Sequence, residues 1–330
     1  MTAPLITNAG AYADISAEDY HRNPNLLPGP SLSSSGGKTI IAQSPYHFWH
    51  DSPMNPNRPP EKGNSPFAFG KAAHDRILLG GDWATRYHAL PEGFAWNKTK
   101  AMAEEIAEAG EARDAGKTLL KHGEMKLVQC IADAIEANPT AMATLTGGVT
   151  EETLVWQDPV TGVWLRARPD FRPDTIKVGH RLRVVSDLKF MAPTHCTPEG
   201  FGKSIANFGY HQSAAFYADG LRAIYGHYPT HWVHVVVEKP ADGVKPEHAP
   251  LSVSLYELPA EDIERGRLLN RRAINLFADC LEKDRWPSYA ADEPRQVGLP
   301  FWARNQIDDA TPEEYATADA SKQPELEGTD

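Results

Sequence analysis

Two short segments constrain this chain most, Arg168-Pro169-Asp170 and Ser186-Asp187-Leu188-Lys189-Phe190. Each ends a run with the character of a β-strand. Side chains two apart on a strand share a face, so Asp187 and Lys189 point one way and Leu188 the other. If the two strands pair, Asp170 joins them, and one sheet face carries two carboxylates and an ammonium. That grouping suits a divalent cation and a developing phosphate charge and points to metal-dependent phosphodiester hydrolysis. The competing account makes Asp187 and Lys189 an exposed ion pair worth about 0–1 kcal/mol, and Asp170 a turn carboxylate ending its strand.

The 330 residues, 41% of them hydrophobic, allow one large core or a core with a decorated periphery. Mean hydropathy is −0.47, and no apolar run approaches the ~20 residues that cross a bilayer. The start, MTAPLITNAG, lacks a basic region followed by an apolar stretch. A soluble, cytoplasmic protein without a membrane partner is expected. Cys130, Cys196 and Cys280 are too scattered for a disulfide framework or a zinc site, and an iron–sulfur cluster would need four clustered cysteines. No Gly-x-x-x-x-Gly-Lys-Ser/Thr loop is present, so no nucleotide cofactor is expected. Net charge is −11, but residues 307–330 hold eight acids and one lysine, a net −7 that leaves −4 for the rest. A near-neutral body can hold a basic groove for DNA.

Periodicity predicts helices over about 38–50, 69–79, 99–137 (with Gly110, Gly116 and Gly123 as interruptions), 210–225 and 260–283. Strands are predicted over 153–156, 163–170, 182–190, 232–237 and 251–256, and a proline-rich loop over 51–66. The expected fold is α/β, a central mixed sheet flanked by helices with an N-terminal helical elaboration. Residues 1–306 are read as a single domain. Its mostly helical part, 1–150, carries His74; the catalytic sheet and helix occupy 151–240, and a C-terminal strand and helix occupy 241–306. The acidic tail, 307–330, is expected to be disordered.

An ordered series of motifs resembles the PD-(D/E)XK nuclease superfamily, and within it the phage and prophage exonucleases related to exodeoxyribonuclease VIII (the RecE-like group). Its members are Ser31-Leu32-Ser33-Ser34-Ser35 with Ser44-Pro45-Tyr46-His47-Phe48, Phe69-Gly70-Lys71-Ala72-Ala73-His74, Arg166-Ala167-Arg168-Pro169-Asp170, the helix from Tyr210-His211 to Asp219-Gly220, Glu238-Lys239-Pro240, and Leu299-Pro300-Phe301-Trp302. A bare Asp…Asp-x-Lys is a weak signal; the series, over roughly residues 14–303, is strong. The resemblance implies a PD-(D/E)XK core in which Asp170, Asp187 and the Leu188 carbonyl bind Mg²⁺ or Mn²⁺, His74 approaches the metal, and Lys189 orients water and stabilises phosphate charge. Two departures stand out. Sixteen residues separate Asp170 from Asp187, with Asp174 as a rival ligand, and the glutamine expected four residues before Tyr217 is Ser213, with Gln212 one residue earlier.

Glu151 or Glu152 contacts the metal through water, or both are solvated strand ends. Arg166 and Arg168 grip a phosphate or neutralise nearby acids. Gln212 and Tyr217 support the site or belong to the core. Lys203 and the arginines at 265, 267, 271 and 272 line a DNA path or form a solvated helix face. By resemblance the protein is a Mg²⁺/Mn²⁺-dependent exonuclease at double-stranded DNA ends. It would degrade the 5′ strand, feed an annealing protein, and form a ring-shaped homo-oligomer. The alternatives are a nuclease of other specificity, trimming single strands or cutting internally, and a non-enzymatic recombination scaffold.

Overall fold

Asp158 folds the chain back on itself. Its N–H donates to Val163 O (2.9 Å), its carbonyl accepts from Gly162 N (2.8 Å), and its Oδ2 accepts from Thr161 N (2.9 Å). Gly162 sits at φ +71°, where a side chain would be strained. Two arms leave this turn in a single register: Gln157 lies opposite Trp164, Leu154 opposite Ala167, Thr150 opposite Phe171 and Gly148 opposite Pro173.

A computed structural model describes residues 5–59, 68–81, 83–97, 100–241, 244–290 and 293–308. Among them the strands are β1 (Gly10–Tyr12), β2 (Ser31–Ser33), β3 (Tyr87–Ala89), β4 (Thr118–Leu120), β5 (Gly148–Thr150), β6 (Thr153–Gln157), β7 (Trp164–Ala167), β8 (Phe171–Pro173), β9 (Val184–Met191), β10 (His231–Glu238) and β11 (Val253–Glu257). They form a four-stranded sheet in the order β1-β6-β7-β2, a five-stranded sheet in the order β11-β10-β9-β8-β5, and a two-stranded β3-β4 sheet. Both larger sheets are mixed: β2 runs parallel to β7, and β10 parallel to β9.

The long hairpin therefore belongs to two sheets. Its turn half, β6 and β7, sits in the first, and its open half, β5 and β8, sits in the second. The sequence predicts one strand over 163–170; instead the strand stops at Ala167 and resumes at Phe171. Pro169 brings no N–H to a ladder, and the chain changes sheets there. The predicted pairing of 163–170 with 182–190 survives only through β8, where Phe171 faces Ser186.

Helices cover the five-stranded sheet on both faces. Val185 joins a core with Trp232, Phe216 and Phe277, supplied by the Tyr210–Tyr225 and Ala260–Lys283 helices. Leu188, Val235 and Val237 project oppositely onto Ile131 and Ile135 of the Glu124–Glu136 helix. The predicted helix over 38–50 is two, Ser34–Ala42 and Pro45–Asp51, the second with proline in its first turn. The stretch 99–137 resolves into Ala103–Asp114 and Glu124–Glu136 around β4; Gly110 lies inside the first helix, and Gly116 and Gly123 take positive φ outside both. A further helix, Pro198–Phe208, lies where the sequence predicts none.

Residues 1–288 form one compact unit and 289–330 another; the described part of the second holds the Phe301–Asp308 helix. The expected acidic tail lies, from 309 onward, outside the described residues. No helix among the described residues is long and apolar enough to cross a membrane.

Candidate metal and phosphate site

Strand register assembles the site as a single row. His234 of β10 lies opposite Asp187 of β9. Phe171 opposite Ser186 sets Asp170, one residue earlier, opposite Asp187. The hairpin register sets Glu151 opposite Asp170, and Glu151 N donates to Asp170 O at 3.1 Å. Glu151, Asp170, Asp187 and His234 thus cross four neighbouring chain segments, and Lys189 follows Asp187 on the same face. Glu151 and Asp170 both fall where the long hairpin passes from one sheet to the other. Glu151 has φ +52°, a left-handed conformation uncommon for a residue with a side chain and typical of functional positions.

His74, the last residue of the Ala68–His74 helix, meets this row with Nδ1 3.6 Å from Asp170 Oδ2. Ligand atoms of His74, Glu151 and Asp170 all lie within 4.8 Å of one another. Asp170 Oδ2 also accepts the Leu188 N–H at 2.8 Å. Burial lowers the His74 pKa, with the Lys189 charge adding to it, which favours the neutral imidazole that binds metals. Burial, then the charge of Asp170, raises Glu151; burial, then the charge of Asp187, raises Asp170. Arg168 offsets part of this at Glu151 and Lys189 part of it at Asp170, yet both carboxyls stay raised; buried carboxylates that repel each other call for more positive charge, and this donor set fits a divalent cation. Oxygen ligands suit Mg²⁺, while the imidazole favours Mn²⁺.

Asp187 lies beyond that triad. Its Oδ2 is 2.9 Å from His234 Nδ1 and pairs with the Lys189 ammonium. Burial pushes the Asp187 carboxyl up, but Lys189 and His234 more than reverse this and hold it ionised. Burial works against the Lys189 charge too, and the Asp187 and Asp170 charges overcome it. Lys189 Nζ donates to Leu188 O at 3.1 Å and lies 5.1 Å from the centroid of the Tyr210 ring. Lys38, from the Ser34–Ala42 helix, donates to Phe208 O at 3.3 Å. Its pKa is lowered by burial and by Lys189, and partly restored by Asp187. Sequence patterning singles out neither Lys38, in a serine-rich lead-in, nor His234, inside an apolar strand.

Other candidates fall elsewhere. Glu152 does not reach the site: its carboxylate accepts Arg172 Nε (2.6 Å), Arg172 Nη2 (2.8 Å) and the Tyr225 hydroxyl (2.7 Å). Asp174 is no rival ligand, being paired with Arg172 at 3.1 Å. Arg168 binds Glu151 Oε2 (2.6 Å) and Ile15 O (2.7 Å), and both Arg166 and Arg168 lie over the Tyr20 ring, at 5.3 and 5.9 Å. Gln212 is buried and its Nε2 has no partner; its backbone carbonyl accepts Asn270 Nδ2 at 2.9 Å. Ser213 follows it, half-buried, on the same helix. Tyr217 is half-buried against Trp232, with ring centroids 5.9 Å apart. Lys203 is exposed on the Pro198–Phe208 helix. Arg265 pairs with Asp262, Arg267 with Asp219 and Glu264, and Arg271 with Asp158, which favours an ion-paired helix face over a DNA path.

Residues 39–293 match a family described as a PDDEXK-like domain of unknown function (DUF3799). Among solved structures, a protein of Eubacterium rectale assigned as an exonuclease superposes with a TM-score of 0.55 at 12% identity, covering 89% of this chain and 98% of that one. A phage-related exonuclease of Haemophilus somnus aligns at 11% identity over 78% of this chain and 97% of its own, with a TM-score of 0.32. An alkaline exonuclease of Laribacter hongkongensis aligns at 12% identity over 67% and 97%, with a TM-score of 0.25. No curated protein matches the sequence.

Proposed function

The chain belongs to the PDDEXK-like family DUF3799, and from that premise we propose that it is a divalent-metal-dependent deoxyribonuclease acting exonucleolytically on the ends of double-stranded DNA. The observation that carries this reading is the row Glu151–Asp170–Asp187 with His74 at one end and Lys189 beside it. His74, Glu151 and Asp170 would hold the cation, with Asp187 and the Leu188 carbonyl oxygen as further ligands. When bound, Mg²⁺ or Mn²⁺ supplies Lewis acidity and neutralises charge on the phosphodiester.

The protein's own groups do the rest. Lys189, anchored by Asp187 and the Leu188 carbonyl, orients the attacking water and donates to a phosphate oxygen as charge develops there. Water adds to phosphorus and gives up a proton to solvent as one P–O ester bond breaks, and the departing oxygen takes a proton from solvent. Lys38 brings a second positive charge to the same phosphate. Arg168 holds the Glu151 carboxylate in its strained position.

The preference for duplex ends, 5′-to-3′ direction, a ring-shaped oligomer and an annealing-protein partner rest on the resemblance of the serine-rich lead-in, the His74 helix and the Tyr210 helix to the RecE-like group. The test is a time course on linear duplexes labelled at one 5′ or one 3′ end, beside closed circles, with Mg²⁺, Mn²⁺ or EDTA. Early release of 5′ label, intact circles and inhibition by EDTA are expected, and Lys189→Ala should lower kcat by about 10²–10³. Equal survival of linear DNA with wild type and Lys189→Ala would sink the reading; cleavage of circles would replace end-dependence with internal cutting.

A further inference from the structure

His234 stands on the catalytic row, yet nothing in the reaction described above requires it. We infer that His234 is a positioning residue: its imidazole fixes the Asp187 carboxylate so that one oxygen is kept for the cation. This rests on reading the row as a metal-dependent nuclease.

The parallel pairing of β9 and β10 puts both side chains on one sheet face, with His234 Nδ1 2.9 Å from Asp187 Oδ2. An ionised carboxylate only accepts, so the shared proton sits on Nδ1. Lys189 engages the same Oδ2. Both of these donors engage Oδ2, and the Asp170 carboxyl abuts the same carboxylate, so Oδ1 carries neither donor and is the oxygen that would turn to a metal. The carboxylate is thus oriented through the oxygen it does not offer, as partners of metal ligands commonly arrange.

The other ring nitrogen supports the assignment. His234 is 1% exposed, and its Nε2 is buried with no hydrogen-bond partner. The ring packs against Phe201 and Tyr210, with centroids 5.3 and 5.6 Å away, and lies near Trp232. A buried polar atom left unmatched among aromatic rings costs stability that an apolar side chain would not. A group serving only to fill this space would do better without nitrogen. The Nδ1 bond to Asp187 is what the imidazole contributes.

The experiment compares His234→Phe, which keeps the ring and loses the donor, with His234→Asn, whose amide N–H can stand near the Nδ1 position. Mn²⁺ binding to DNA-free protein is followed by electron paramagnetic resonance, beside Tm, kcat and KM. In His234→Phe, Mn²⁺ affinity and kcat should each fall about 10–100-fold, with KM for DNA unchanged and Tm no more than modestly lowered, since relief of the unmatched Nε2 offsets part of the lost Asp187 bond; His234→Asn should recover most of both losses. Should the Phe variant not fold, His234→Leu and His234→Asn, alike in shape, carry the same contrast. Wild-type Mn²⁺ affinity and kcat in the donor-less variant would overturn the inference. So would equal losses in both variants that merely follow a lowered Tm. If the wild type itself binds no Mn²⁺, the metal reading fails and takes this inference with it, an outcome distinct from variants that bind as the wild type does.

Discussion

Glu151 shows what the row costs when no cation is bound. Its backbone is held at φ +52° and its carboxyl is pushed up by burial and by the charge of Asp170. A carboxylate whose folded pKa lies above its unfolded value destabilises the fold once pH exceeds the unfolded value, near 4.3. Glu151→Gln keeps an acceptor for Arg168 and removes the charge. Metal-free Glu151→Gln should therefore melt above the wild type at pH 7, while Mn²⁺ should raise its Tm less than it raises that of the wild type; paired thermal scans with Mn²⁺ and with EDTA check both. Lys38 predicts a different signature. As a phosphate contact it should add about one to the slope of log affinity against log salt. Lys38→Met should weaken DNA binding and flatten that slope by about one, as salt titrations of binding would register. The sequence made Asp170, Asp187 and Lys189 conspicuous because alternation along a strand is a local property. It could not single out His234, whose significance depends on a parallel strand paired across more than forty residues of intervening chain.

At the scale of elements, the turn of the β5–β8 hairpin is held by one buried charge. Asp158 closes its turn and receives two hydrogen bonds from Arg271 of the Ala260–Lys283 helix, at 2.6 and 2.9 Å. Burial would raise the Asp158 carboxyl, yet the bonds from Arg271 and Thr161 prevail and bring it down to about 2. A depressed carboxylate adds stability that is complete above its unfolded pKa, near 3.9, and is lost as pH falls through the folded value. Asp158→Asn should thus cost about 1.5–3 kcal/mol at pH 7 and little near pH 2. Denaturant melts at the two pH values decide it; an equal cost at both would mean that shape, not charge, holds the turn. The turn itself was legible, because Asp158-Pro159 and Thr161-Gly162 carry their own chemistry. The helix that Asp158 grips was legible as a helix but not as a partner. Whether its arginines meet DNA or solvent stays open in the sequence, since periodicity gives faces and not what each face meets.

For the molecule as a whole, the order of helices and strands and the α/β class followed from periodicity, while the division into two larger sheets did not. Register continues unbroken through the bend, so the hydrophobic alternation of one long hairpin conceals the change of sheet. Charge is the remaining whole-chain property with a consequence for DNA. The formal net charge is −11, and residues 309–330 contribute −6 of it, so a chain ending at Asp308 carries −5. Repulsion between an acidic segment and a polyanion acts over the Debye length, about 10 Å at 0.1 M salt and about 3 Å at 1 M. Ending the chain at Asp308 should therefore speed association with duplex DNA and lower KM at low ionic strength, with kcat unchanged because every group of the proposed catalytic row is retained. The advantage should shrink steadily as salt rises and vanish as molar concentrations are approached, since long-range steering is the effect removed. Stopped-flow association with fluorescent duplex across a salt series measures this directly. A truncated chain that binds no faster at 20 mM salt would show that the acidic segment lies too far from the DNA path to act on it.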